Sequence, residues 1–356
     1  MQSIKIDMPS SIREGEQLDQ NVLSSYLINN VDNFGQIVDI QQFPGGFSNL
    51  TYLIKTDADT EYVLRRPPFG SKHIKGGHDM GREFRVLSLL KKAGYKKIPE
   101  PTVFCEDEAV MGCSFYVMER VQGIILRAHN APKLGIAPDT MQQLSGMLVD
   151  NFVALHALDI QSSGLIEIGK PDGYIERQVS GWYKRYQNAQ TDDIPAFEEV
   201  YQWLDKNRPA DGKPTLIHND YKYDNMVFSN DLSEIKAVLD WEMCTVGDPL
   251  MDVGTALSYW SEATDGAFEK GFNLTCLPGN LTRQEFAARY AQKSGRDVSN
   301  LLYFYIFGLF KNTVVIQQIY ARWKNGFSKD ERFAGLLAGV NALTNTAAKA
   351  IERNNF

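Results

Sequence analysis

The chain is poor in cysteine and histidine. Its 356 residues include four cysteines, Cys105, Cys113, Cys244 and Cys276, and five histidines. No two cysteines stand at CxxC spacing and no histidine lies near them at zinc spacing, so the sequence offers no zinc site. Cys105 and Cys113 could meet across a hairpin, but buried thiols in a reducing cytosol are the simpler reading. Long apolar runs are missing too. The most apolar stretch, Leu301 to Phe310, stops at Lys311; it is too short to span a bilayer and reads as a buried helix. The first residues, with Lys5, Asp7, Arg13, Glu14 and Glu16, carry no apolar signal core. A cytoplasmic location without a membrane partner is therefore expected. Positive charge is in deficit, with a formal net charge of −7, which argues against a nucleic-acid partner. No internal repeat, low-complexity tract or heptad pattern appears.

What is present is an ordinary globular composition, 43% hydrophobic, on a chain long enough for two lobes. After a loose arm over 1–17, Leu18 to Asn30 has helical spacing. Ile37–Ile40, Thr51–Thr56 and Glu61–Arg66 read as strands, the last stopped by Pro67-Pro68. Gly81 to Ala93 is helical, with Phe84, Leu87 and Leu90 in a stripe and Gly94 as its stop. Two strands follow, around Pro101–Cys105 and Cys113–Glu119, and Val121-Gln122-Gly123 reads as a crossing point. The remainder is mostly helical. Asp139 is placed to cap a helix, Ile175–Asn188 and Phe197–Leu204 are amphipathic, and Asn300–Lys324 suits a central core helix. Thr282-x-x-Glu285 and Ser328-x-x-Glu331 have capping-box spacing.

The chain turns on Leu216 to Phe228, where His218-x-Asp220-x-x-x-x-Asn225 sits between two apolar runs. A third run, Ile235 to Leu239, ends on Asp240. Phosphoryl transfer needs such a set: one carboxylate to orient and deprotonate a hydroxyl, and an amide with a second carboxylate to hold Mg²⁺. The plain alternatives are a polar turn for the first pair and a helix N-cap for Asp240. Asp248-Pro249 is the better capping candidate. His218 reads as a structural residue that hydrogen-bonds backbone. Lys222, two residues past Asp220, suits either a solvated loop lysine or a cation that neutralises charge on a moving phosphoryl group. Asp224 suits solvent or the turn.

Upstream, Tyr62-Val63-Leu64-Arg65 stands where a kinase-type site carries its basic strand residue, with Glu83 as the partner on the following helix. Alternation puts Val63 and Arg65 on one face, so Val63 can line a base pocket. Arg66 is the reserve for Arg65, and a surface ion pair is the plain alternative. Gly45, Gly46 and Ser48 form a loop that could cap phosphates or simply turn a hairpin. Glu119 and Val121 flank the expected hinge, where main-chain groups could meet an adenine edge by analogy with kinases. Only Trp241 to Gly247 separate Asp240 from Asp248, which leaves no room for a protein-kinase activation segment and favours a small acceptor.

Together these residues resemble the aminoglycoside phosphotransferase and choline kinase superfamily. The matching pieces are Gly45–Asn49, Tyr62–Pro68, Arg82-Glu83-Phe84, Tyr116–Arg120, the His218 segment, Asp240-Trp241-Glu242, Gly247-Asp248-Pro249 and Asp252. Arg65–Pro68, Glu176-Arg177-Gln178 leading to Trp182, and Phe304–Arg322 are similar to the kinase domains associated with acyl-CoA dehydrogenases. The resemblance implies an α+β, protein-kinase-like, two-lobe fold: a nucleotide-binding lobe over 1–118 with an antiparallel sheet plus helix, a hinge at 119–123, and a mainly helical lobe over 124–356. It implies Asp220 as base, Asn225 and Asp240 as metal ligands and Arg65–Glu83 as the phosphate-positioning pair; Lys222 is a second catalytic candidate by its place on the loop. Gly45, Gly46, Ser48, Val63, Arg65, Glu83, Glu119 and Val121 would bind ATP. Asn219 stands where many members have Gly. The expected partners are ATP, Mg²⁺ and a small hydroxyl-bearing molecule, with a hydroxyacyl-CoA or hydroxy acid preferred. The alternatives are an aminoglycoside, amino-alcohol or sugar kinase, a nucleotide-binding pseudokinase without transfer, and, third, a protein kinase. An acyl-CoA wants cations near the acceptor site, for which Arg127, Lys133, Arg177, Lys184 and Arg185 are candidates.

Overall fold

Alternating strands build the first third of the chain, and apolar helices build most of the rest. The computed structural model describes residues 8–44, 49–70, 79–328 and 330–356. In chain order it runs α1 (Gln20–Asn30), β1 (Ile37–Gln42), β2 (Leu50–Thr56), β3 (Glu61–Arg66), α2 (Met80–Lys92), β4 (Pro101–Cys105), α3 (Glu108–Met111) and β5 (Phe115–Glu119). Then come α4 (Ala131–Leu134), α5 (Pro138–His156), α6 (Tyr174–Ala189), α7 (Pro195–Lys206), β6 (Thr215–Ile217), β7 (Met226–Phe228), β8 (Ile235–Val238) and β9 (Thr245–Gly247). The chain closes with α8 (Pro249–Tyr259), α9 (Ala267–Phe272), α10 (Arg283–Ser294), α11 (Leu301–Lys324) and α12 (Leu336–Arg353). This is an α+β fold. The described part of the chain divides into two compact units, one of Met1–Ile125, Ser162–Gly164 and Met226–Met243, the other of Leu126–Gln161, Leu165–Asn225 and Cys244–Phe356.

In the first unit, a five-stranded antiparallel sheet has the order β1-β2-β3-β5-β4. Its core is apolar, with Leu23, Leu27, Tyr52, Ile54, Leu64, Phe115 and Val117 packed together. Helix α2 starts at Asp79, whose carboxylate accepts from the Arg82 N–H. The β7–β8 hairpin joins this unit by a bridge between Ile124 and Phe228. Gly123 allows that approach, because a Cβ there would stand 2.2 Å from the Phe228 carbonyl oxygen.

The second unit is helical around α11. Residues on every face of α11 are buried, including Phe304, Ile306, Leu309 and Val314, as expected for a helix that is apolar all round. Its neighbour α8 comes very close. A Cβ on Gly254 would stand 2.1 Å from the Phe304 carbonyl oxygen, and one on Gly308 2.4 Å from the Gly254 carbonyl oxygen. This contact holds two backbones together and sets where the polar residues one turn away reach. Strands β6 and β9 pair antiparallel at the start of the His218 segment and just before α8. Asp248 caps α8 through the Leu250 N–H with Pro249 following, and Thr282 with Glu285 forms the expected capping box.

Two local expectations fail. Asp139 lies in the first turn of α5 and is not its cap; the N-cap is Ala137, with Pro138 pre-setting the first turn. Ser328 opens no α-helix; Asp330 instead caps a single 3₁₀ turn at Glu331–Phe333. The four cysteines are free thiols, with Cys105 and Cys244 buried. Among the described residues no helix is long and apolar enough to cross a membrane.

Candidate active site

Two polar clusters hold the expected residues, one in each unit. The first is built on β3. Alternation along the strand buries Val63 and places Arg65 in an ion pair with Glu83 of α2 at 3.2 Å and with Asp240 at 3.5 Å. Glu83 is buried and fully engaged: it also accepts from the Tyr116 hydroxyl at 2.8 Å and from the Asn49 amide at 3.1 Å. The same Asn49 amide reaches Glu242 at 3.3 Å. Burial drives the Glu83 carboxyl upward, with Arg65 and Tyr116 opposing it. Burial also disfavours the Arg65 cation, but Tyr116, Glu83 and Asp240 outweigh that and hold it charged. Arg66 lies elsewhere in the unit, its guanidinium 3.7 Å over the Phe69 ring, so Arg65 is the arginine of this cluster.

Asp240 follows β8 with φ +66°, a left-handed conformation that costs a non-glycine residue free energy and collects at functional positions. Its Oδ1 is buried and accepts no hydrogen bond among the described residues. A buried carboxylate oxygen that, among the described residues, meets the Arg65 guanidinium at 3.5 Å and accepts no hydrogen bond is the donor type a hard cation takes. Asp240 is therefore not a helix cap.

Glu119 and Val121 flank the end of β5. The Glu119 N–H is taken by the Glu100 carbonyl at 2.8 Å, and its side chain is exposed. Val121 packs with Leu239 against Ile125, Val227 and Ala237. That apolar floor was not read from the sequence, because short β7 and β8 gave no cue to which face they present. Gly45, Gly46 and Ser48 lie outside the described residues.

The second cluster is the loop after β6. Asn219 has φ +66°, which explains why glycine suits this position in relatives of the motif. Two anchors hold it. Asp252, in the first turn of α8, accepts the His218 N–H at 2.5 Å and the Asn219 N–H at 2.7 Å. Lys311 of α11 donates to the Asn219 carbonyl at 2.7 Å. His218 is fully buried and its Nδ1 accepts the Asp220 N–H at 3.2 Å, the structural role expected.

Asp220 then meets Lys222 at 2.9 Å and both an oxygen of its side chain and its own carbonyl meet the Asn225 amide at 2.8 Å. A 3₁₀ turn at Tyr223–Asn225 delivers that amide. The Asn225 N–H groups are thus spent on Asp220. Burial raises a carboxyl, yet Lys222, His218 and Lys311 together hold Asp220 below its ordinary value. Lys222 is shifted upward: burial lowers it, and Asp220 more than compensates. Its ammonium also lies 4.7 Å from the Tyr259 ring centroid. Asp224 is half-buried in that turn; its Oδ1 is buried without a hydrogen bond among the described residues, and burial raises its carboxyl.

Asp252 and Lys311 were not among the expected site residues. Asp252 carried a signal in the motif that follows Asp248-Pro249. For Lys311 the one cue was a lone cation closing an apolar run, which reads equally as a helix surface.

Comparison with known proteins bears on the family and the fold. The model of the APH phosphotransferase enzyme family matches residues 39–283. Acyl-CoA dehydrogenase family member 11 of Gallus gallus is 32% identical over 98% of this chain and 45% of its own length. The chain thus spans less than half of the curated relatives it matches. A Ralstonia eutropha structure assigned as an aminoglycoside phosphotransferase superposes with TM-score 0.81 at 27% identity, covering 95% of this chain and 99% of that one. The streptomycin–ATP ternary complex of APH(2'')-IIa superposes with TM-score 0.58 at 18% identity, over 94% and 98% of the two chains, a likeness of fold. The protein-kinase-like fold expected from the motifs is the observed one.

Proposed function

The chain belongs to the APH phosphotransferase enzyme family and is a small-molecule phosphotransferase, and on that premise we propose that it moves the γ-phosphate of ATP to the hydroxyl of a hydroxyacyl thioester or hydroxy acid. The observation that carries the reading is the Asp220 carboxylate, mostly buried yet held ionised by Lys222 and oriented by the Asn225 amide. A general base must be both aimed and deprotonated at neutral pH. Asp220 accepts the acceptor's proton as its oxygen attacks. Lys222, released from Asp220, neutralises charge on the transferring phosphoryl group.

Arg65, fixed by Glu83, positions the α- and β-phosphates. Val63, Val121 and the floor of Val227 and Leu239 face the base, with main-chain groups near Glu119 and Val121 reading its edge. Asn225 and Asp240 would each offer an oxygen to Mg²⁺; the Asp240 Oδ1, buried without a hydrogen bond among the described residues, fits a hard cation. Bound there, such an ion supplies charge neutralisation at the β- and γ-phosphates.

The acceptor class rests on the second unit's cations. Arg185 stacks on Trp182 at 4.3 Å, and Trp182 lies 5.9 Å from the Lys311 ammonium that grips the Asn219 carbonyl. This places an exposed guanidinium on the side of the base loop, suited to a carboxylate or phosphate on the acceptor. Arg177 is spent on the Asp172 and Lys170 carbonyls.

The test is ATP consumption, with Mg²⁺, against hydroxyacyl-CoAs, hydroxy acids, aminoglycosides, choline and sugars. Turnover with an anionic hydroxy compound, lost in Asp220→Asn while nucleotide binding survives, is the expected result. Full turnover in Asp220→Asn overturns the roles. Turnover with aminoglycosides alone overturns the acceptor class. Metal-dependent nucleotide binding with no consumption on any of these compounds overturns transfer.

A further inference from the structure

We propose that Lys311 is a positioning residue for the phosphotransfer reaction, a buried ammonium that clamps the Asn219 carbonyl and so fixes the direction in which Asp220 leaves its loop. The proposal rests on the reading of Asp220 as the base.

A cation in the middle of α11 needs a reason. Lys311 is 2% exposed and sits one turn beyond Gly308, where α11 touches α8 most closely. Burying an ammonium costs several kcal/mol of hydration, and a well-packed apolar residue at such a place is often at least as stable. One hydrogen bond to a neutral carbonyl returns only part of that cost. The other polar side chains of the same stretch have neutral work: Asn312 bonds Ser258 and Gln317 bonds the Ala189 carbonyl and Thr191. Lys311 alone carries charge.

The charge faces the loop. Asp220 and Asp252 favour the Lys311 cation, and Lys222 and Arg185 oppose it. Asp252 is already occupied by the His218 and Asn219 N–H groups and by His156 at 3.2 Å. Lys311 acts through the Asn219 peptide that it holds, one residue before Asp220. The peptide is gripped at both ends, N–H by Asp252 and C=O by Lys311, which over-determines the left-handed Asn219 and with it the direction in which Asp220 leaves the loop.

Two substitutions test the clamp. Lys311→Met removes the donor; Lys311→Gln keeps a shorter one. Amide hydrogen exchange at Asn219 and Asp220, read by ¹⁵N–¹H NMR, reports on the loop without any acceptor. Exchange at Asn219 should quicken in Lys311→Met and return part of the way in Lys311→Gln. Lys311→Met should lower kcat about 10- to 100-fold with KM for ATP changed less than about twofold, and Lys311→Gln should recover part of kcat. Wild-type exchange and wild-type kcat in Lys311→Met overturn the proposal. If neither variant folds, ¹⁵N NMR of the wild-type Lys311 ammonium reports directly: an ammonium protected from solvent exchange supports the clamp, and one that exchanges freely overturns it. Because the NMR readouts need no turnover, failure of the phosphotransfer assignment is told apart from failure of the clamp.

Discussion

The Asp252 carboxylate accepts the main-chain N–H of Asn219 at 2.7 Å, with its other oxygen on the His218 N–H at 2.5 Å. Both oxygens are fully buried with the rest of Asp252, and His156, bonded to Asp252 at 3.2 Å, is kept neutral by burial that lowers its pKa. The carboxylate is thus a two-pronged acceptor for a loop whose backbone conformation is unfavourable by itself.

Asp252→Asn should therefore be costly in two ways. An amide nitrogen must face a backbone N–H, and hydrogen bonds to a charged acceptor, worth about 1.5–3 kcal/mol each, are lost. We expect a loss of about 3 kcal/mol in unfolding free energy, read from the urea midpoint, and a fall in kcat of about 100-fold in the folded fraction. A variant with wild-type kcat would show that Asp252 supports the fold and not the loop.

The Arg65–Glu83 pair makes a separable prediction. Glu83→Gln leaves Arg65 with Asp240 alone, at 3.5 Å, so the guanidinium is less firmly placed. KM for ATP should rise about tenfold, about 1.4 kcal/mol, with KM for the acceptor unchanged. Arg65→Lys should act in the same direction, because a point charge cannot keep the planar fork's two partners. Equal effects on both substrates would place the pair outside nucleotide binding.

Strand alternation and the β3–α2 spacing made Arg65 and Glu83 legible as a pair, since both signals are local. Asp220, Asn225 and Asp240 were legible because turn chemistry and short apolar runs put them at strand ends. What was not legible depends on contacts far apart in sequence. Asn49 and Tyr116 join Glu83 only once β2 and β5 flank β3. Lys311 reaches Asn219 only because two helices touch through Gly254 and Gly308, and no periodicity in α11 announces that. Asp139 and Ser328 show the reverse error, in which a cap-type residue sits at the right spacing while Ala137, ahead of Pro138, or a competing Asp330 takes the cap.

Gly308→Ala tests that helix contact. The new methyl would stand 2.4 Å from the Gly254 carbonyl oxygen, a backbone atom that cannot swing aside, so α8 and α11 must separate. Overpacking of this kind costs about 1–3 kcal/mol. Because Asp252 and Lys311 ride on those helices, kcat should fall more than the loss of folded protein accounts for. A drop in thermal midpoint with kcat per folded molecule unchanged would uncouple the helix contact from the loop.

Lys311 predicts opposite pH trends for stability and activity. Burial pushes its ammonium down from the ordinary lysine value of 10.5 to about 8, although Asp220 and Asp252 oppose the fall and Lys222 and Arg185 add to it. Between those pH values the unfolded chain binds a proton at Lys311 that the folded chain does not. Unfolding free energy therefore gains a positive slope with pH, at most about 1.4 kcal/mol per pH unit. Other groups titrate in the same window, so the quantity to measure is the wild type minus Lys311→Met, by urea unfolding from pH 7.5 to 9.5. That difference should grow with pH. Over the same range wild-type kcat should decline, because the neutral amine no longer offsets the Asp220 charge or grips the Asn219 carbonyl as firmly, and Lys311→Met should show no such decline above its own lower rate. A flat stability difference would mean that Lys311 stays charged across the window, and a parallel fall of kcat in both proteins would assign the alkaline limb to another group.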